Sequence, residues 1–228
     1  ELDYTVPEEG SIVWFDGWVI PRYAKNKKAL YCLYDKRITT YEVPATMTYI
    51  DSRVFYYMTN LRAFTVEEGN EWFSALDGIL YEGYAPTNYL AIAEIPKGIS
   101  GVVRIQEGVK SIPMDAFRGC RGIKEVVLPS SVKSIEIHAF ASSGLERITL
   151  PDSVESIGYA AFSNCESLES VTLGKGVIKI EEQAFAFCNA LKTIFIGNNV
   201  MTIEKDAFRH CENLTIYCEA VEKPAGWD

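Results

Sequence analysis

The sequence is poor in histidine, in paired cysteines and in positive charge, and it has no long apolar run. Two histidines in 228 residues leave little material for a histidine-based catalytic or metal centre. Six cysteines are present, but no two form a C-x-x-C pair, the usual mark of a zinc or redox site. Lys and Arg number 22 against 31 Asp and Glu, a net charge of −9. Phosphate backbones and anionic lipid surfaces repel such a chain, so nucleic acid is not an expected partner. No apolar stretch nears the ~20 residues of a spanning helix, so no membrane insertion is expected. The opening "ELDYTVPEEG" lacks the basic and apolar regions of a secretory signal and starts at Glu rather than Met. It reads as a processed chain whose targeting segment lies elsewhere. G-x-S-x-G, the P-loop and G-x-G-x-x-G are all missing. Asp and Glu are plentiful but scattered, with no pair assignable to acid and base roles. No enzymatic activity and no cofactor is expected.

What is present is a repeat. Phe117, Phe140, Phe162, Phe185 and Phe208 each follow Ala, spaced 23, 22, 23 and 23 residues apart, and Phe55 heads a sixth, earlier copy. Twelve residues before each Phe stands an aliphatic residue: Val43, Ile105, Leu128, Leu150, Leu173 or Ile196. Eight before stands Met47, Val109, Val132, Val154, Val177 or Val200, and five before stands Ile50, Ile112, Ile135, Ile157, Ile180 or Ile203. Three after comes Met58, Cys120, Ser143, Cys165, Cys188 or Cys211. Segments such as Leu168–Leu173 alternate apolar and polar residues, as a half-buried strand does, and Pro or Gly then turns the chain. The Ala-rich "GYAAFSNC" suits one turn of α- or 3₁₀-helix. A unit of ~23 residues cannot bury its own apolar face, but stacked copies can, with strands ~4.8 Å apart. The repeated residues are therefore the shared core of a solenoid, and the variable ones face water.

The copies "LERITLPDSVESIGYAAFSNC" and "IKEVVLPSSVKSIEIHAF" resemble the BspA-like class of bacterial leucine-rich repeats. The interrupting "EEGNEWFSALDGILYEG" and the closing "LTIYCEAVEKPAGWD" are similar to segments of the same class. The likeness covers residues 37–228. It implies a leucine-rich-repeat solenoid (α/β, strand-rich), a right-handed superhelix with a concave parallel sheet, short convex strands and short helical turns. It also implies a secreted or cell-surface protein that attaches to host or matrix components, without catalytic residues. The copy at Phe140, "AFASSGL", is one residue short and lacks the Cys, so a dent or twist in the stack is expected there.

Residues 1–228 read as a single domain: an N-terminal cap (1–36), a first repeat (37–66), an insertion (67–101), the remaining repeats (102–213) and a C-terminal cap (214–228). In the insertion, "GILY" and "YLAIAEIP" are expected to pair as strands around "EGYAPTN". A monomer is expected. The four cysteines at one repeat position alternate with Met and Ser, as in a buried thiol ladder. Disulfides between adjacent turns and a metal site are the alternatives. His138 is expected to be solvated, and His210 adjoins Cys211 without forming a dyad.

What remains is surface. Eighteen of the aromatic residues fall within residues 1–90; they either cap an exposed core end or are displayed for binding. In each strand the residues flanking the central aliphatic point outward. This row, expected on the concave face, holds Arg104, Glu125, Val127, Arg147, Thr149, Ser170, Thr172, Thr193 and Phe195. It reads either as an ordinary exposed sheet or as a binding face. The insertion competes with it, through Trp72, Phe73, Tyr81, Tyr84 and Tyr89. Two functions follow: binding of a protein or glycan ligand at a bacterial surface, or a rigid spacer within a larger surface protein.

Overall fold

The computed structural model describes residues 14–15, 18–19, 38–50, 55, 57–83, 90–220 and 222–228. Most of the proposed N-terminal cap, with Cys32, lies outside the described residues. Of that cap only the antiparallel pair β1 (Trp14–Phe15) and β2 (Trp18–Val19) is described.

The chain is a strand-rich parallel β-solenoid. Its main sheet holds six strands: β8 (Ser100–Arg104), β10 (Gly122–Val127), β12 (Arg147–Thr149), β14 (Ser170–Thr172), β16 (Thr193–Ile196) and β18 (Thr215–Cys218). Between them come the strands of a second parallel sheet, each only two residues long: β9 (Ser111–Ile112), β11 (Ser134–Ile135), β13 (Ser156–Ile157), β15 (Lys179–Ile180), β17 (Thr202–Ile203) and β19 (Gly226–Trp227). Every strand pairs with its counterpart one turn away, so equal repeat positions stack. The core is those stacked positions. Val109, Val132, Val154, Val177 and Val200 are buried, as are Ile112, Ile135, Ile157, Ile180 and Ile203. Phe117, Phe140, Phe162, Phe185 and Phe208 form a column of stacked rings, 4.9–5.5 Å apart and within 6° of parallel.

The segments around these Phe residues are not helical. Two residues per turn have left-handed backbone, one two before the Phe and one two after it. The first set is Asp115, His138, Ala160, Gln183 and Asp206, and the second is Gly119, Ser142, Asn164, Phe187 and His210. A helix tolerates neither. Hydrogen bonds alternate instead. The N–H groups of Asp115, Phe117 and Gly119 donate to Ile137, Ala139 and Ala141 of the next turn, while those of Ala116, Arg118 and Cys120 donate three residues back within their own turn. The lateral set repeats up the stack, so the turns add a third ladder beside the two sheets. The expected one-turn helices are thus corrected to left-handed turns. His138 is half-buried rather than solvated, edge-on to Tyr159 and 3.8 Å from Asp115.

The short copy at Phe140 does not dent the stack. Arg147, Ile148 and Thr149 pair in register with both neighbouring strands. The missing residue is absorbed at Gly144, where a Cβ would sit 2.1 Å from the carbonyl oxygen of Arg121. Only glycine lets the chain cut that corner. Ser143 fills the cysteine position, buried 3.5 Å from the Cys165 thiol.

The first repeat is irregular. β3 (Thr40–Val43) and β4 (Ala63–Val66) pair in parallel apart from the main sheet. Next comes an antiparallel sheet of β5 (Phe73–Leu76), β6 (Ile79–Glu82) and β7 (Ala91–Glu94). The expected pairing of the "GILY" and "YLAIAEIP" segments is therefore present. Asp77 and Gly78, both left-handed, make the β5–β6 hairpin, a two-residue turn suited to Asp-Gly. Strand β6 joins two cores. Leu80 packs with Tyr41, Phe55 and Phe64, whereas Ile79 and Tyr81 pack into the main core.

Candidate binding surface

The outward face of the main sheet follows from the alternation of its strands. Val103, Val126, Ile148, Val171 and Ile194 turn inward, so the residues on either side of each turn outward. Strand pairing aligns these into two rows. One holds Val102, Glu125, Arg147, Ser170, Thr193 and Thr215. The other holds Arg104, Val127, Thr149, Thr172, Phe195 and Tyr217. Glu125 and Val127 are half-buried and the rest are exposed.

The structure thus brings all nine expected residues onto one face, but it divides them. Arg147 does not accompany Phe195. Its Nε lies 3.7 Å from Glu125 Oε2, an exposed pair of small energetic weight. The partner of Phe195 is Tyr217, which sequence reasoning missed. Their rings stack at 5.0 Å and 16°, with Phe195 65% and Tyr217 50% exposed. The signal was available, since the row steps by 22 or 23 residues from Thr149 to Thr172 to Phe195, and one more step lands on Tyr217. Reading residues 214–228 as a cap hid it.

At the C-terminal end, β19 covers only the short-strand sheet, where the Trp227 indole donates to the carbonyl oxygen of Val200 at 3.0 Å. Strand β18 is exposed along its length. Its Ile216 stands in the core-facing row yet is 42% exposed.

The insertion is mostly a joint. Phe73 and Tyr81 are buried, so neither can present itself to a partner as expected. Phe73 turns into the small core under the first repeat, and Tyr81 into the main core, where its hydroxyl accepts from the N–H of Gln106 at 3.3 Å. Both sit on the covered side of short strands, which an irregular segment does not reveal by period. Trp72 is 49% exposed. Tyr84 and Tyr89 lie outside the described residues. Asn70 ties the insertion to the first repeat: its amide donates to the carbonyls of Pro44 and Met47, and its oxygen accepts from the N–H groups of Trp72 and Phe73.

The described cysteines are free thiols. Cys165, Cys188 and Cys211 each donate to the carbonyl oxygen of the preceding turn's Phe, at 3.0–3.2 Å. Burial pushes the Cys120 and Cys165 thiols up to about 11. Cys188 is also pushed up, first by its hydrogen bond with Cys211 and then by burial, so Cys211 ionises before it. Cys120, Cys165 and Cys188 are thus inert core rather than nucleophiles, whereas Cys211 is half-buried and Cys218 exposed. Among the described residues, no helix is long and apolar enough to cross a membrane.

The model of the BspA type leucine rich repeat region matches six copies, over residues 26–75 and 101–215. Among solved structures, the chain is similar to a leucine rich cell surface protein from Faecalibacterium prausnitzii, at 30% identity and a TM-score of 0.71, covering 80% of this chain and 48% of that one. A leucine-rich repeat protein from Eubacterium ventriosum follows at 22% identity and a TM-score of 0.70, covering 83% and 50%. The pneumococcal vaccine antigen PcpA is similar at 22% identity and a TM-score of 0.61, covering 80% and 51%. The chain thus spans about half the length of these solved relatives. No curated protein matches it in sequence. Six family copies laid over the observed stack of turns leave one conclusion: the chain belongs to the BspA-type leucine-rich-repeat family.

Proposed function

We propose that this chain is a non-enzymatic recognition domain of a bacterial surface or secreted protein, binding a protein or glycan through the outward face of its main sheet. One observation carries the reading. Phe195 and Tyr217 stand exposed and stacked on a face whose other outward residues are short or charged. Paired aromatic side chains held rigidly in solvent are the groups that dominate interface energy when covered. The test compares the native chain with a Phe195→Ala/Tyr217→Ala variant and a control at exposed Lys133, Lys133→Ala, against immobilised matrix proteins and glycans. The double variant should lose about 30-fold or more in affinity while the control matches the native chain. Weakening by the control alone would place binding on the short-strand side.

The spacer reading has its own support. The chain spans half of its solved relatives, and each regular turn is tied to the next by three hydrogen-bonded ladders. A native chain that binds nothing across both panels would favour that reading.

A further inference from the structure

The direction of the Phe195–Tyr217 stack decides which ring surface is free. Ring planes 16° apart, with centroids 5.0 Å apart across adjacent strands, face each other along the solenoid axis. One face of Phe195 is therefore covered by Tyr217, and the opposite face looks along the sheet toward Thr172. Two short residues, Thr172 and Thr149, separate Phe195 from Val127 in that row. Three strand spacings, about 14 Å, thus separate Phe195 from Val127, and the outward side chains between them are short and hydroxylated, so the Phe195 ring alone rises above this shallow recess. The floor of this recess and its flank is hydroxylated: Thr149, Ser170, Thr172 and Thr193. All four are exposed, and none of their hydroxyls has a hydrogen-bond partner among the described residues. The recess itself holds no charge. The nearest cation in the rows, Arg147, is paired with Glu125, and Lys192 at the flank is paired with Glu169.

We infer that this recess is a subsite for a neutral hexose unit of a glycan, stacked on the free face of Phe195 and hydrogen-bonded to the threonine and serine hydroxyls. The inference rests on the reading that the outward face binds. An apolar protein side chain laid here would strand four hydroxyls, each costing about 1–3 kcal/mol when desolvated without a partner. A sugar ring meets them with donors and acceptors of its own, and its C–H face suits the negative face of the aromatic ring. An anionic ligand finds no free cation in the recess of a protein with a net charge of −9.

The experiment is calorimetric titration with cellohexaose, maltohexaose and chitohexaose, with a heparin hexasaccharide as the anionic contrast. At least one neutral hexasaccharide should bind, with an affinity unchanged between low and high salt. Phe195→Ala should weaken it at least about tenfold, Phe195→Trp should retain it, and Thr172→Val should weaken it roughly tenfold. Arg147→Ala should leave it intact, and thermal unfolding should show all four variants folded. Preferential binding of heparin, lost in salt and in Arg147→Ala, would overturn the inference. So would neutral binding that survives Phe195→Ala. If no neutral sugar binds but a matrix protein is captured through Phe195, the sugar inference fails and the surface reading stands. If neither is captured, both fail.

Discussion

Two parts of this chain bury aromatic rings by different rules. In the regular turns, the Phe162 and Phe185 rings lie within 1° of parallel, and each neighbouring pair repeats that arrangement. In the first repeat, Tyr41, Phe55 and Phe64 meet edge to face, at 62–82° and 4.9–6.3 Å. The regular stack is a translation: equal residues one strand spacing apart take equal rotamers, so rings fall into a column. The first repeat has a parallel neighbour on one side and the antiparallel insertion beyond it, so no translation relates its rings. They settle into the edge-to-face contact that isolated aromatic clusters prefer. Symmetry, not ring chemistry, sets the packing.

The largest loss is expected where a ring leaves the regular column. Phe162→Ala opens a void between two stacked neighbours that backbone ladders hold in place, so the site cannot collapse. A loss of about 3–5 kcal/mol is expected in denaturant unfolding. Phe55→Ala removes the same volume, but its core is a separate cluster, joined to the main one through β6 and β7. Hydrogen exchange should then rise across residues 38–82 and stay low in β12–β16. Equal loosening in both places would show the two cores to be one cooperative unit.

The thiols mark a second difference, since the regular turns carry Cys, or Ser143 in the short copy, where the first repeat carries Met58. Cys120 and Cys165 have folded-state values raised from 9.0 to about 11 by burial. Unfolded thiols ionise where the folded ones stay protonated. Their contribution is therefore fully present below about pH 9 and fades as the pH climbs to about 11, by on the order of 2–3 kcal/mol per thiol at most. Comparing the native chain with Cys120→Ala/Cys165→Ala isolates that slope from other alkaline titrations. The native curve should fall more steeply between pH 9 and 11. Parallel curves would show that burial does not hold these thiols neutral.

Residues that recur were legible, and residues that occur once were not. The columns of Val, Ile, Phe and Cys could be placed because each appears several times at a fixed step, and their burial follows from stacking alone. The outward rows followed from strand alternation for the same reason. Phe73 and Tyr81 were misjudged because the insertion offers a single copy, and an aromatic residue met once carries no phase. Tyr217 was missed although its column was in plain view. The turns failed for a conformational reason. Left-handed backbone announces itself through glycine, as at Gly78 after Asp77, but here Asp115, His138, Gln183 and Phe187 adopt it, so an Ala-rich stretch read as helix.

That misreading can be tested by the sign of one small effect. Ser142 is exposed, has φ of 56°, and its hydroxyl makes no hydrogen bond among the described residues. Left-handed backbone costs an L-residue about 1–2 kcal/mol through the clash of Cβ with the following carbonyl, and glycine is free of it. Glycine also gains more entropy in the unfolded chain, worth about 0.4–1 kcal/mol in the opposite direction. Ser142→Gly should therefore stabilise the protein by several tenths of a kcal/mol. The turn at Phe117 already has glycine in this position, Gly119, with φ of 71° and nothing within 4 Å of where a Cβ would be. In a helical turn the same substitution would cost about 0.5 kcal/mol, because glycine is the poorer helix former. Ser142→Val brackets the answer. A β-branched residue is strained at positive φ, so it should destabilise by about 1–2 kcal/mol here, whereas a helix would tolerate it at a few tenths. Paired denaturation midpoints for the two variants read opposite signs if the turn is left-handed, and two small losses if it is a helix.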